Sequence, residues 1–123
     1  MRLFMKFSVQ SLDVPVLMED MVLMDSKRDR LSQLQSAVDD LIAVLHYGDG
    51  WALLMGDNAL GVYPSWRVPQ DSKLFKFMPE HTYINGAPVC TGPVLLVHDD
   101  GTNFGGFTEK QLMYRIFSYN QLK

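Results

Sequence analysis

The sequence predicts an α+β domain: a small mixed or antiparallel sheet of four to five strands with two helices packed on one face. Three observations lead there. Pro93–Val97 is an unbroken apolar run of strand-forming residues, stopped by Asp99-Asp100-Gly101, which reads as a buried strand entering an acidic turn. Two further apolar runs, Leu41–Tyr47 and Trp51–Met55, flank Gly48-Asp49-Gly50 in the pattern of a hairpin. Two helical stretches carry start signals, Ser26 with Asp29 and Thr108 with Gln111, the second in capping-box form. Strands and helices follow one another without strict βαβ alternation, the order expected of an α+β fold.

Taken in order, Arg2–Val9 alternates loosely, with Leu3, Met5, Phe7 and Val9 on one side, as a half-buried strand does. Pro15 interrupts the next apolar stretch, so Val14–Met18 is expected at a sheet edge or in an extended loop, and Met21–Met24 as another short strand. Residues 1–25 thus read as an N-terminal extension with one or two strands. Ser26 is the expected cap of the first helix, with Asp29 favourable near the positive end of the dipole. Leu31, Leu34, Val38 and Leu41 lay one stripe along it, and Asp39-Asp40 is poorly placed at the negative end, so the helix should stop there. After the hairpin, Gly56–Gly61 is a second turn and Val62-Tyr63 a short return strand.

Pro64–Asn85 is the least regular region, a crossover holding three prolines and the mixed run Lys73-Leu-Phe-Lys-Phe77. A loop of that length in a compact domain is usually functional or hides structure of its own. Thr108–Ser118 is the second helix, with Leu112, Met113, Ile116 and Phe117 expected on its inner face. The core should therefore include Leu34, Val38, Leu95, Val97, Leu112 and Ile116.

Composition narrows the function classes. The 123 residues suit one domain, 1–123, and 47% hydrophobic content is enough for a real core. A net charge of −3, with bases locally answered by acids as in Asp25-Ser-Lys-Arg-Asp-Arg30, is a poor match for double-stranded nucleic acid, whose binding rests on clustered cations. Lys6, Asp13, Glu19 and Asp20 interrupt every candidate apolar core near the N-terminus, so neither a signal peptide nor a membrane helix is expected. The single cysteine, Cys90, rules out an intramolecular disulfide and reads as a small buried hydrophobe; a reducing cytoplasm fits.

The segment Met55-Gly-Asp-Asn-Ala-Leu-Gly-Val-Tyr-Pro64, the strand Thr91-Gly-Pro-Val-Leu-Leu-Val97, Asp100-Gly101 and Phe107-Thr-Glu-Lys-Gln111 together resemble small phage and plasmid proteins of the family called domain of unknown function 3846. The likeness runs from about Leu31 to Ile116. The chain departs from it in its N-terminal segment and in Pro64-Ser-Trp-Arg67, where the family tends to carry an asparagine-led segment. The resemblance implies a phage or mobile-element origin and carries no established activity.

Candidate chemistry is sparse. His46, His81 and His98 are separated and lack a ligand spacing, so no metal and no cofactor are expected, although His98-Asp99-Asp100 is a ligand-like string. Gly105-Gly106 precedes a helix start, where phosphate can bind, but no P-loop pattern surrounds it, and the pair reads as a flexible turn. Trp66-Arg67 with Tyr63, and Phe75 and Tyr83 further along, form the expected binding surface, because arginine and aromatics anchor interfaces. The opposing reading turns these aromatics inward to cover the sheet's second face. No nucleophile–base–acid set is legible. The expectation is a non-catalytic accessory protein in the cytoplasm of a bacterial host, binding a host protein or small ligand in host takeover or counter-defence. The alternative is a small enzyme or sequestering protein acting on a nucleotide-like ligand, and a third possibility is single-strand nucleic-acid binding through Trp66, Tyr63 and Arg67.

Overall fold

A computed structural model describes residues 2–9, 16–99 and 104–122, with the backbone alone for 118–122. The Val14-Pro15 interruption and the Asp100-Gly101 half of the acidic turn lie outside these residues. The α+β class holds. The elements are β1 (Leu3–Val9), β2 (Leu17–Leu23), α1 (Arg30–Val38), β3 (Ile42–Gly48), β4 (Trp51–Gly56), α2 (Ala59–Val62), β5 (Ser65–Arg67), β6 (Tyr83–Ile84), β7 (Ala87–Thr91), β8 (Val94–Asp99), β9 (Phe104–Gly105) and α3 (Glu109–Leu122), with 3₁₀ turns at Lys73–Phe77 and Glu80–Thr82.

The main sheet is antiparallel, in the order β2-β1-β8-β4-β3, and β9 extends it beside β8. Val94, Leu95, Leu96 and Val97 are all fully buried, so the central strand needs cover on both faces. Leu95 and Val97 meet Phe4, Ala52 and Leu54 under Leu34 and Val38 of α1. Val94 and Leu96 meet Met5, Phe7, Trp51 and Leu53 on the other face, beneath Phe107, Leu112 and the crossover.

The two main helices therefore cover opposite faces, where the sequence reading placed both on one. Each helix has an apolar stripe, but a stripe does not say which face of a sheet it will meet. On α3 that stripe is narrower than expected: Leu112 is buried and Ile116 half-buried, while Met113 and Phe117 point outward. Leu31 of α1 is likewise half exposed.

The N-terminal segment is integral to the domain rather than an extension. β1 lies between β2 and β8 in register Met5↔Met21 and Met5↔Leu96. Phe4 is buried on one face and Met5 and Phe7 on the other, so the loose alternation concealed a strand covered on both sides.

Local signals account well for the element ends. Asp29, rather than Ser26, caps α1: its carboxylate accepts from the Ser32 N–H at 3.0 Å and the Ser32 hydroxyl at 2.8 Å. Those bonds hold the Asp29 carboxyl below its ordinary pKa. The helix stops at Asp39 in the left-handed region (φ 54°), as the acidic pair suggested. Asp40 then accepts from the backbone N–H groups of Asn58 and Leu41, tying this end of α1 to the turn before α2; the Asn58 bond is the main reason its pKa is lowered. The hairpin turns through Asp49 and Gly50, both at positive φ, the geometry that matches strand twist. Thr108 and Gln111 make the full reciprocal box: the Thr108 N–H donates to Gln111 Oε1 at 2.8 Å, and the Gln111 N–H donates to Thr108 Oγ1 at 3.2 Å.

Val62-Tyr63 is not a return strand. Residues 59–62 form the short helix α2, and the chain becomes extended only at β5. The irregular 64–85 crossover hides most of the second layer. β5, β7 and β6 form a three-stranded sheet, and its Trp66 and Cys90, with Val68 just after β5, join Leu74, Phe77 and Met78 against the main sheet. Ser72 donates its hydroxyl to Glu19 at 2.8 Å, with Lys73 at 3.8 Å from the same carboxylate, tethering the crossover to β2.

Candidate functional site

The five aromatic and basic residues expected to form a binding surface divide into separate groups. Trp66 is only 8% exposed, and its indole N–H donates to the Gly92 carbonyl at 2.9 Å. Its place is the core, which corrects the expectation of a surface anchor. The reason is physical: the sheet's second face needed a large apolar cover, and the indole N–H found a buried partner. Tyr63 lies against Gly92, where an added Cβ would stand 2.9 Å from the ring, and Arg67 faces outward from β5. Phe75 and Tyr83 form an edge-on pair with ring centroids 6.4 Å apart. Tyr63, Arg67 and Tyr83 thus remain at the surface, while Phe75 is half-buried.

Two histidines that are distant in sequence approach each other. The His46 and His81 rings lie 6.1 Å apart, and His98 packs edge-on to Trp51 at 4.9 Å. Trp51 also packs on Phe77, over whose ring the Arg115 guanidinium sits at 5.1 Å. No group of three His, Cys, Asp or Glu side chains among the described residues is arranged to hold a metal ion. Cys90 is buried, and desolvation pushes its thiol pKa up to about 12. A thiol so held is no nucleophile at neutral pH.

A recess opens where the start of β1, the end of β2, the start of α1 and the residues after β9 meet. It is a half-open cleft of about 700 Å³ lined by Arg2, Met24, Asp25, Ser26, Arg30 and Gly106, with Leu23 at its edge. That volume lies within the roughly 300–1,000 Å³ of small-molecule pockets.

Backbone placement explains why two arginines arrive together. Leu3 and Phe107 exchange backbone hydrogen bonds at 2.7 Å, which lays Gly106 beside Arg2. A Cβ on Gly106 would stand 2.7 Å from Arg2 Cβ and 3.0 Å from the Leu3 backbone, so only glycine permits this approach. The adjoining Gly105 seats the Arg30 guanidinium, whose Nη1 would lie 3.1 Å from an added Cβ. Gly105-Gly106, read from sequence as a flexible turn, is the paired seat of Arg30 and Arg2.

The charges around the cleft are of both signs. Asp25 Oδ1 accepts from the Lys27 N–H at 2.9 Å, and the Asp25 backbone is locked to Gln33 by an N–H donated to Oε1 at 2.9 Å and a carbonyl accepting from Nε2 at 2.8 Å. Arg2 reaches only neutral acceptors among the described residues, the Gly106 carbonyl and Gln111 Oε1, both at 3.4 Å. Such long contacts are weak and easily exchanged for a better acceptor. The arrangement can hold an anion by charge-assisted hydrogen bonds. Sequence reasoning missed it because Arg2 stood in a presumed extension and Arg30 in a charge-balanced run; the glycine pair was the one local signal.

Comparison with protein-family models, curated proteins and solved structures yields no match for this chain.

Proposed function

We propose that this protein works by binding, and that its ligand is a small anion-bearing molecule held in the Arg2–Arg30 cleft. One observation carries this reading: Arg2, just before β1, and Arg30, at the start of α1, line one recess of ligand size, Arg2 beside Gly106 and Arg30 beside Gly105. Arginine presents planar paired donors that match carboxylate and phosphate oxygens, and a partly closed recess strengthens those bonds relative to water. The biological setting we propose is that of a phage or mobile-element accessory protein in a bacterial cytoplasm, sequestering a small anionic ligand in host takeover or counter-defence. Its support is the resemblance carried by Met55–Pro64 and Thr91–Val97.

Isothermal titration calorimetry with inorganic phosphate and a nucleoside monophosphate tests the site. Arg2 and Arg30 are both exposed, so an Arg2→Ala, Arg30→Ala variant should keep its fold. Losing charge-assisted bonds of about 1.5–3 kcal/mol each should weaken binding at least tenfold. Absence of any anion binding by the parent protein, or equal affinity in the variant, overturns the reading.

A second reading, a host protein as partner, is favoured by the outward side of α3, where Met113, Tyr114 and Phe117 are 60%, 74% and 59% exposed. Large apolar groups clustered at a surface mark contact sites. In that case Met113→Lys with Phe117→Lys should leave the fold intact and abolish a complex that native mass spectrometry detects in host lysate; a complex that survives refutes it.

A further inference from the structure

The main sheet has two open edges, and they differ in chemistry. β2, at one, carries Glu19 and Asp20 near its middle and is tied to the crossover through Ser72 and Lys73. Charge of that kind is the usual protection of an edge against another strand. β3, at the other, reads Ile-Ala-Val-Leu-His-Tyr-Gly, with no acid, lysine, arginine or proline. Among the described residues its backbone pairs on one side only, with β4. Val44 and Tyr47 are each half exposed. The bulge between Val44 and His46 turns both to one face, since their β4 partners Leu54 and Ala52 lie together in the cluster under α1. α1 leaves that face partly uncovered: a recess of about 480 Å³ lies along it, lined by Leu31, Leu34, Ile42 and Phe104, with Arg28 in its wall.

We propose that β3 is the docking edge for a second copy of this chain, the two strands running antiparallel about a twofold axis between Leu45 and His46. That register sets Val44 of each copy opposite Tyr47 of its mate, an aromatic against a β-branched residue, and no charged side chain meets its like. A twofold through the middle of β2 would instead set Glu19 and Asp20 against themselves. Charge at the two ends of α1 fits the same symmetry. Arg28 stands at the helix start, the end of the face where Phe104 packs on Tyr47 with ring centroids 6.3 Å apart. Asp39 closes the helix beside the start of β3. Among the described residues both are bonded through the backbone alone. Arg28 donates its N–H to the Asp25 carbonyl and accepts from Gln33 at its own carbonyl, and Asp39 donates its N–H to the last turn of α1. The nine residues of α1 span about 14 Å and the seven of β3 about 24 Å, so both helix ends lie within reach of the paired strands. Antiparallel docking brings Arg28 of one copy toward Asp39 of the other, twice, a complementarity that an unrelated strand would not share. The inference is independent of the anion cleft.

Sedimentation equilibrium of the full chain over a concentration series reaching about 1 mM tests this. The expected result is reversible association from 14.0 kDa to twice that mass. Val44→Lys, at a half-exposed edge position that the fold tolerates, should weaken the dimer at least about tenfold. Arg28→Glu and Asp39→Lys should each weaken it about tenfold, and the variant carrying both should return to within about threefold of the parent. Both exchanges suit the helix dipole, so α1 survives them, and far-UV circular dichroism checks each fold. If Val44→Lys fails to fold, the charge exchange alone decides. A chain that stays monomeric across the series, a mass that climbs past the dimer as head-to-tail pairing would make it, a folded Val44→Lys variant that still pairs, or a double variant that fails to recover overturns the proposal.

Discussion

Replacing Trp66 by alanine should destabilise the domain by about 3–5 kcal/mol, the usual range for removing a buried aromatic ring from a packed core. The structure supplies the terms. The indole is 8% exposed and packs in the cluster with Val68, Leu74, Phe77 and Cys90, all of them buried. Its N–H also satisfies the Gly92 carbonyl at 2.9 Å. Trp66→Phe keeps most of the apolar contact and loses that bond, so it should cost less, about 1–3 kcal/mol. Arg67→Ala, at the exposed neighbouring position, should stay within about 0.5 kcal/mol of the parent. Urea unfolding followed by far-UV circular dichroism measures all three. With an m-value of roughly 1–3 kcal/mol/M, the Trp66→Ala midpoint should fall by at least about 1 M. Total stability of a domain this size is about 5–15 kcal/mol, so the variant retains a measurable transition in most of that range. A Trp66→Ala midpoint indistinguishable from Arg67→Ala would refute the placement of the crossover beneath the sheet.

Two further outcomes test other parts of the fold. Thr108→Ala removes half of the reciprocal cap on α3 and should cost about 0.5–2 kcal/mol, and Gln111→Ala the other half. Because the two side chains act as one unit, the double variant should cost less than the sum, and strict additivity in a thermal-unfolding cycle would argue against the box. The Cys90 thiol should resist iodoacetamide in the native protein at pH 8 and react promptly in denaturant, as mass spectrometry of the adduct will show; fast native labelling contradicts its burial. Its folded pKa, about 12, lies above the ordinary 9.0, so the native state holds the proton longer than the unfolded chain. The contribution of this group to stability is therefore fully present below pH 9 and is lost as pH rises from there through 12.

Those features legible in the sequence are the ones decided within a few residues. The α3 capping box, the end of α1 at Asp39 and the Asp49-Gly50 hairpin each depend on backbone preferences or on bonds between near neighbours. Such interactions hold wherever the segment lies in space, so residue order alone determines them. What sequence reasoning could not supply is every choice between equivalent partners. An apolar stripe states that α1 and α3 must be covered, yet only the packed sheet assigns them to opposite faces. Arg2–Val9 reads as a peripheral strand until its pairing with β8 places it inside the sheet. Trp66 looks like an exposed anchor until a second face without other cover draws it inward. The meeting of Arg2 with Arg30 is the furthest from sequence, because it requires the β1 start, the α1 start and a glycine pair to converge. Convergence of that kind is set by the summed burial of a whole core, a quantity that no single segment contains.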